Sequence, residues 1–454
     1  MKIIASIILS GIIFLLPASV EGQQVIIRDT NITDAINLVN KDSLLLTISD
    51  LVSMQTRHNL SNKSDKSVGI GAASEYIYNK LESYSDGNPN ISIIKHNYLA
   101  GGEGSRLGRT VKLTNIETFF KGTNKSDDRI IILLAHYDSR SFDNNDSTAF
   151  APGANDNGSG VAALMEIARI LSKKSLPVSV KLLFLSGEEH GLLGATYMAS
   201  LAKKENWNIL AVINNDMIGN SRSSGTEISG NTRLRVFSEN IPFTETSVKK
   251  RIREFNSSEN DSESRQLARY IKEISERYVD NLEVKLIYRN DRFGRGGDHT
   301  PFNKEGFVSV RLCEYYENYD RTHQIPGIRD GKEFGDLIHG VDFEYVRKNT
   351  QANLSTLMNL AFAPYKPVNA TIDINGLSSS TKISWEQPDG PVKPYGYYIL
   401  IRETDKSNWG KKIFVKDNCA ELPYSKDNYF FAVQSVNENG NESLPLFATG
   451  GSVK

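Results

Sequence analysis

The stretch Arg129-Ile-Ile-Ile-Leu-Leu-Ala135 is a short apolar run with a charged residue at its start and polar residues after it. A run of this length and composition is typical of a β-strand that is buried on both faces of a sheet. Similar runs alternate with segments of helical periodicity further along the chain, in the order 159–171 (helix), 178–185 (strand), 195–204 (helix), 209–213 (strand), 265–278 (helix) and 308–312 (strand). This alternation predicts an α/β fold with a mixed, mostly parallel sheet flanked by helices.

The same architecture is predicted to extend on both sides of these segments. Two further strands are expected at 91–96 and 111–120, and a long helix is expected at 343–362. In sheets of this kind, ligands bind beyond the carboxyl ends of the strands. Polar residues that directly follow the strands are therefore the first candidates for a functional site.

The composition changes after Ala363-Pro364. From there on, short strand-like runs are separated by turn signals and no helix is indicated, which predicts a small all-β sandwich domain over 365–454. The placement of Trp385 and Tyr429 resembles that in a fibronectin type III domain. A sandwich of another topology is the alternative.

The N-terminus has the pattern of a targeting segment. Lys2 is followed by an almost wholly apolar stretch and then by Pro17 and small residues. This stretch is shorter than the roughly 20 residues that span a membrane. We therefore predict a cleaved signal peptide over 1–22, a secreted or periplasmic protein, and no membrane span in the mature chain. An uncleaved membrane anchor is the alternative.

Composition narrows the class of function. The 454 residues carry 53 Lys and Arg against 54 Asp and Glu, and this balance argues against a nucleic-acid partner. Two cysteines exclude a disulfide scaffold and a cysteine-rich zinc module. With seven histidines in all, a metal site would have to use few histidines and several carboxylates.

Polar side chains cluster after the predicted buried strands. Each of them alone has an ordinary structural explanation, such as a helix cap or a solvated surface pair, but together they lie along one edge of the sheet. The cluster contains His136, Asp138, Asp156, Glu188, Glu189, Asp216, Tyr319 and His323. Imidazole nitrogens and carboxylate oxygens suit zinc. The sequence therefore predicts a metal site at this edge.

Two histidines and three carboxylates can hold two zinc ions if one carboxylate bridges them, and two-metal sites serve hydrolytic enzymes. Glu188 and Glu189 are adjacent, so in an extended segment one can bind metal while the other faces the water and the substrate. Asp138 lies two residues after His136 and is expected to accept the second N–H of that histidine.

Four motifs together resemble those of the family-28 zinc metallopeptidases, which are di-zinc aminopeptidases and their relatives. They are His136-Tyr-Asp-Ser139, Ala151-Pro-Gly-Ala-Asn-Asp-Asn-Gly-Ser-Gly160, Ser186-Gly-Glu-Glu-His-Gly191 and Asn215-Asp-Met-Ile-Gly219. The resemblance covers roughly residues 45–362, and it implies a zinc-aminopeptidase-like fold for a peptidase domain at 23–364.

The resemblance also implies a role for each position. His136 and Asp216 would bind one zinc ion, Glu189 and His323 the other, and Asp156 would bridge the two. Glu188 would act as the general base. The family further implies a cis peptide bond between Asp156 and Asn157.

Two assignments remain open at this stage. In some family members a tyrosine directly precedes the last histidine ligand and stabilises the oxyanion, but here Thr322 takes that place. Tyr319 is the preferred substitute, and Tyr315 and Tyr316 are its rivals. His299, in a segment that also resembles the family, is the rival of His323 for the last ligand.

The function expected from these features is that of a secreted di-zinc aminopeptidase acting on peptide or protein substrates. The alternatives are a glutaminyl cyclase or carboxypeptidase of the same fold, and a non-catalytic binding ectodomain. The C-terminal domain is expected to dock to a surface or a glycan. The long polar segment 219–262 is expected either to cover the site or to form a disordered surface loop.

Overall fold

A computed structural model describes residues 27–450, so the predicted signal peptide lies outside the described residues. The helices of this part of the chain are α1 (Thr30–Asn37), α2 (Lys41–Ser53), α3 (Gly69–Ser85), α4 (Gly158–Leu171), α5 (Leu193–Lys204), α6 (Ser247–Asn256), α7 (Glu263–Tyr278), α8 (His299–Lys304), α9 (Phe343–Phe362) and a 3₁₀ turn at Ile338–Gly340. Within residues 27–450, no helix combines the length and the apolar character that a membrane span requires.

Strands form one large sheet, a short hairpin and two smaller sheets. In chain order they are β1 (Ile91–Gly101), β2 (Thr110–Phe120), β3 (Ile130–His136), β4 (Ser179–Leu185), β5 (Ile209–Asn215), β6 (Arg233–Ser238), β7 (Glu283–Ile287), β8 (Ser309–Glu314), β9 (Gly327–Arg329), β10 (Lys332–Phe334), β11 (Val368–Ile372), β12 (Thr381–Glu386), β13 (Gly396–Glu403), β14 (Lys411–Val415), β15 (Cys419–Leu422), β16 (Tyr429–Val436), β17 (Leu446–Phe447) and β18 (Thr449–Gly450).

The large sheet has the strand order β1-β2-β4-β3-β5-β8-β6-β7. Its centre, β4-β3-β5-β8, is parallel throughout. The strands β1 and β2 add an antiparallel hairpin on one side, and β6 pairs antiparallel with β8 on the other. The prediction of a mixed, mostly parallel sheet flanked by helices is confirmed.

The strand β3 shows why the apolar runs fold this way. Every residue after Ile130 is buried, and successive side chains enter different cores. Ile131 and Leu133 belong to the core that contains α4, α7 and α9, whereas Ile132 and Leu134 belong to the core that contains α5. Because side chains alternate across a strand, an uninterrupted apolar run can bury both faces of the sheet under helices.

The segment 219–262 differs from both expectations. It is neither a cover over the predicted site nor a disordered loop, because it contains β6, which lies between β8 and β7 in the large sheet, and the exposed helix α6. In β6, Leu234 and Val236 are buried and alternate with Arg233 and Arg235. The two arginines interrupt the apolar run that revealed the other strands.

Residues 368–450 form two four-stranded sheets, with the orders β15-β12-β11-β18 and β14-β13-β16-β17. Their inner faces share one core. In that core the ring of Trp385 contacts Tyr397 edge to face at 5.3 Å. The expected small β-structure after the long helix α9 is therefore present.

These sheets pack against α7 through a group of charges that we call the interface cluster: Glu273, Arg277, Lys412 and Glu442. The Glu442 side chain is completely buried. It accepts hydrogen bonds from Arg277 and, at 2.8 Å, from Lys412, and both cations also contact Glu273. Leu444, close by in the chain, belongs to the main core together with α7 and α9. The two parts of the molecule are therefore joined by buried contacts.

Candidate metal centre

The carboxyl ends of three neighbouring parallel strands bring the predicted ligands together. His136 ends β3, Glu188 and Glu189 follow β4, and Asp216 follows β5. Two groups of side chains each have their ligand atoms within 4.8 Å of one another. One is His136, Glu188 and Asp216, and the other is Asp156, Glu189 and His323. We call these six residues the candidate metal centre.

Asp156 lies between the two groups, in the loop before α4. Its Oδ1 is 3.4 Å from Nε2 of His136, and its Oδ2 is 3.0 Å from Nε2 of His323. Each oxygen of one carboxylate therefore faces a different histidine. The His323 nitrogen also lies 3.0 Å from Oε1 of Glu189. The Asp156–Asn157 peptide bond is cis, which confirms the expectation drawn from the resemblance.

Asp138 orients the site in a different way from the one expected. Nδ1 of His136 lies 3.1 Å from the main-chain oxygen of Asp138 but 3.6 Å from its carboxylate. The carboxylate instead accepts hydrogen bonds from the main-chain N–H groups of Glu188 and Glu189, at 3.3 and 3.2 Å, and from Asn59 at 2.6 Å. Asp138 therefore turns Nε2 of His136 toward the centre and holds the Glu188–Glu189 turn in place.

Electrostatic interactions within the centre are strong because it is buried. Burial raises the pKa of Glu188 well above its usual value, and the neighbouring Asp216 and Glu189 add to the rise. Burial opposes the charged form of Asp156, but its close contacts with His136 and His323 lower its pKa well below the usual value. Burial also disfavours protonation of His323, but Glu189 and Asp156 outweigh it and raise the pKa of His323 to about 10.

The donor set fits zinc. Nε2 of His136 is buried without a hydrogen-bond partner, although it points at two carboxylates. Four carboxylates, those of Asp156, Glu188, Glu189 and Asp216, line one cavity. Such a concentration of like charge requires a compensating cation, and imidazole with carboxylate is a common zinc ligand set.

Comparison with known proteins identifies the family. The model of peptidase family M28 matches residues 115–340. A probable zinc metalloprotease of Leptosphaeria maculans is 37% identical over 402 residues, which cover 88% of this chain and 92% of that protein. The chain belongs to peptidase family M28. A probable zinc metalloprotease of Pyricularia oryzae, also similar, is 35% identical over 91% of this chain and 84% of its own length.

Solved structures support the fold of this M28 peptidase. LapA of Legionella pneumophila aligns with a TM-score of 0.53 at 18% identity, covering 75% of this chain and 79% of that chain. A leucine aminopeptidase precursor of Bacteroides thetaiotaomicron aligns with a TM-score of 0.50 at 18% identity, covering 70% of this chain and 97% of that chain. At these identities the likeness concerns the fold alone.

Three buried charged residues that support the centre were not singled out from the sequence. Arg311, in β8, lies 3.1 Å from Oδ2 of Asp216. The carboxylate of Asp336 accepts hydrogen bonds from the main-chain N–H groups of Asn155 and Asp156, at 2.9 and 2.7 Å. Arg57 donates to the main-chain oxygens of Pro152 and Gly153 and so holds the loop that leads to Asp156.

The structure separates the rival residues. His299 is buried in α8 with its Nε2 2.7 Å from the main-chain oxygen of Asn290, and it belongs to neither ligand group, whereas His323 does. Tyr319 is 57% exposed and lines a neighbouring cleft beside His323. Tyr315 and Tyr316 contact each other edge to face. Among the described residues, no tyrosine lines the cavity that contains Glu188.

That cavity has a volume of about 380 Å³. The carboxylates of the candidate metal centre form its floor, and four arginines contribute to its walls: Arg106, Arg140, Arg292 and Arg295. Among the described residues that line it, none comes from 219–262. The walls instead come from the loop between β1 and β2, from the segment after β3 and from the segment between β7 and α8.

Proposed function

We propose that this M28 peptidase is a secreted or periplasmic di-zinc aminopeptidase that removes N-terminal residues from peptides or proteins. The observation that carries the proposal is the position of Asp156, with one carboxylate oxygen toward His136 and the other toward His323. A carboxylate in this position suits a bridge between two ions. In this proposal His136 and Asp216 would hold one zinc ion, and Glu189 and His323 would hold the other.

Bound zinc would supply Lewis-acid chemistry, lowering the pKa of a water molecule and polarising the peptide carbonyl. Glu188 is the general base: its carboxylate takes a proton from the attacking water and returns it to the leaving amine. Its half-buried side chain lines the cavity, and its raised pKa makes it a better proton acceptor than an exposed glutamate. Asp138 keeps this carboxylate in place through the main chain of Glu188.

The proposal also covers the export of the protein and the role of its C-terminal domain. The apolar stretch within 1–22 supports a cleaved signal peptide, and the mature chain would divide into a peptidase domain at 23–364 and a second domain at 365–454. Two facing sheets around the buried Trp385 support a fibronectin type III-like assignment. We assign this domain a docking role toward a surface or a glycan.

Metal analysis combined with a peptide panel tests the proposal. The purified protein is assayed for zinc per chain and for cleavage of Leu-Gly-Gly and N-acetyl-Leu-Gly-Gly, with and without a chelator. We expect two zinc ions and cleavage of the free-amine peptide alone, abolished by the chelator. Cleavage of the acetylated peptide would contradict an aminopeptidase. One zinc ion would favour a cyclase, and none would favour a non-catalytic protein.

A further inference from the structure

A second cleft adjoins the cavity of the candidate metal centre. It has a volume of about 390 Å³, and Phe142, Tyr319 and Gln324 line its outer part. Arg106, Arg140, Arg295 and His323 line both spaces. The two are therefore continuous along a wall of three arginines. We call this wall, Arg106, Arg140 and Arg295, the arginine wall.

The three guanidinium groups differ in how far the chain satisfies them. Nε of Arg140 lies 2.9 Å from Oε2 of Glu189, so this arginine is held by a ligand residue. Within residues 27–450, Arg106 contacts only the main-chain oxygen of Glu189, at 3.4 Å, and Arg295 donates a hydrogen bond only through its main-chain N–H, to the oxygen of Arg292. Both side chains are exposed at the edge of the cleft.

The charge of the cavity floor does not offset these arginines once metal is bound. Four carboxylates line the cavity, and the two zinc ions of the proposed function bring four positive charges. Within residues 27–450, Arg140 is the member of the arginine wall that forms an ion pair with a carboxylate. The loaded site would therefore present an uncompensated positive wall directly beside the position of the scissile bond.

We propose that the arginine wall is a carboxylate-binding subsite: Arg106 and Arg295 bind a carboxylate of the substrate next to the bond that is cleaved. The inference rests on the proposed function and adds a substrate class to it. The planar guanidinium group donates two parallel hydrogen bonds to a carboxylate, which lysine cannot do. The carboxylate can belong to an acidic side chain on either side of the scissile bond or to the C-terminus of a dipeptide.

Three pairs of peptides separate these sources. Leu-Ala is compared with Leu-Ala-amide for the C-terminal carboxylate, Leu-Glu-amide with Leu-Gln-amide for a side chain after the bond, and Glu-Leu-amide with Gln-Leu-amide for a side chain before it. In at least one pair, we expect kcat/KM to be about tenfold or more higher for the charged member, as one charge-assisted hydrogen bond can provide.

Two single substitutions test whether Arg106 and Arg295 cause the preference for the charged peptide. Arg295→Gln and Arg106→Gln are expected to raise KM for the charged peptide and to leave kcat and the neutral peptide nearly unchanged. The matched control is Arg109→Gln, because Arg109 is exposed in the same loop as Arg106 but does not line the cleft. Equal rates within all three pairs, or an equal loss of the neutral peptide in both variants, would overturn the inference.

A binding measurement keeps this inference distinct from the proposed function. Both members of each of the three pairs are titrated calorimetrically into zinc-loaded Glu188→Gln protein, with and without Arg295→Gln. If the wild-type protein cleaves no peptide of the panel, the proposed function fails. A carboxylate preference in binding that Arg295→Gln removes would still support the arginine wall, and its absence would overturn it.

Discussion

Two groups of buried charges in this protein differ in which cations balance their carboxylates. In the interface cluster, Glu273 and Glu442 meet Arg277 and Lys412, so two carboxylates face two cations. In the candidate metal centre, four carboxylates converge on two histidines, and within residues 27–450 the arginines within 4.0 Å of these carboxylates are Arg140 and Arg311. Without metal, the charge balance of the centre therefore depends on protonated imidazoles.

The difference in charge balance separates a structural role from a catalytic one. A balanced buried group needs nothing further and loses stability when one partner is removed. An excess of buried carboxylates is tolerable only if a cation compensates it. The interface cluster should therefore respond to substitution by loss of folding stability, and the metal centre by loss of chemistry or of metal.

The largest effect is expected from Glu188→Gln. Glutamine keeps the shape of the side chain but cannot accept the proton, so kcat should fall roughly 100- to 10,000-fold while the zinc content stays unchanged. Steady-state kinetics and metal analysis measure both. Glu103→Gln, at an exposed position in the loop after β1, is the control. Wild-type turnover in Glu188→Gln would show that another group is the base.

Arg277→Met should lower the free energy of unfolding and leave catalysis unchanged. It leaves Glu442 buried with Lys412 as its remaining cation in the cluster, so the free energy of unfolding should fall by about 3–5 kcal/mol in urea titrations. Lys250→Met, in an exposed ion pair with Glu254, should cost less than about 1 kcal/mol.

The folded fraction of Arg277→Met should retain its zinc content and its kcat/KM. A loss of zinc comparable to the loss of stability would mean that the two charge groups are not independent.

The pH dependence of zinc binding should also distinguish the two groups. In the metal-free protein Glu189 and Asp156 raise the pKa of His323 to about 10 against the effect of its burial, so this imidazole carries a proton that zinc must displace. Glu188 and the neighbouring aspartates raise the pKa of His136 against its burial, in the same direction. Zinc affinity should therefore rise between pH 6 and 9, by about tenfold per pH unit for each proton displaced.

Competition with a chelating dye at several pH values measures this affinity. The pKa of Glu442 is lowered to about 2 because Arg277 and Lys412 outweigh the effect of its burial, so the interface cluster keeps its charges over that range. Between pH 6 and 9, the free energy of unfolding of the metal-free protein should therefore show no transition that arises from the interface cluster. A zinc affinity that is independent of pH would contradict the protonated histidines.

Tyr319→Phe should have the smallest effect. The ring is 57% exposed and outside the cavity that contains Glu188, so kcat should change less than about threefold. The matched control is Tyr316→Phe. A fall of 100-fold or more in Tyr319→Phe alone would show that this hydroxyl reaches the reacting carbonyl when substrate binds.

Strands that consist of an unbroken run of apolar residues could be predicted from the sequence. The strand β3 is an uninterrupted apolar run, and its end places His136 at the edge of the sheet. The strand β6 was missed because Arg233 and Arg235 interrupt its apolar residues. The sequence predicts that the side chains of Glu188 and Glu189 point in different directions. In the structure these side chains belong to different ligand groups.

The residues that support the site were not predictable in the same way. Arg57, Arg311 and Asp336 are single charged residues outside any quoted motif, and their importance comes from burial against distant main-chain or carboxylate groups. The direction in which the Tyr319 side chain points depends on the loop that contains His323. The backbone φ of His323 in this loop is 59°. Such a conformation is uncommon outside glycine and has no simple sequence signal.

Leu444 and Glu442 have a consequence for biosynthesis. Both belong to buried contacts with α7 or α9, although the helices and the large sheet are complete at Phe362. At a synthesis rate of 5 to 20 residues per second, a ribosome needs roughly 4 to 16 seconds to proceed from Phe362 to Leu444. During that interval the nascent peptidase exposes the apolar and charged surface of α7. The buried contacts around α7 are therefore completed only after Leu444 has been made.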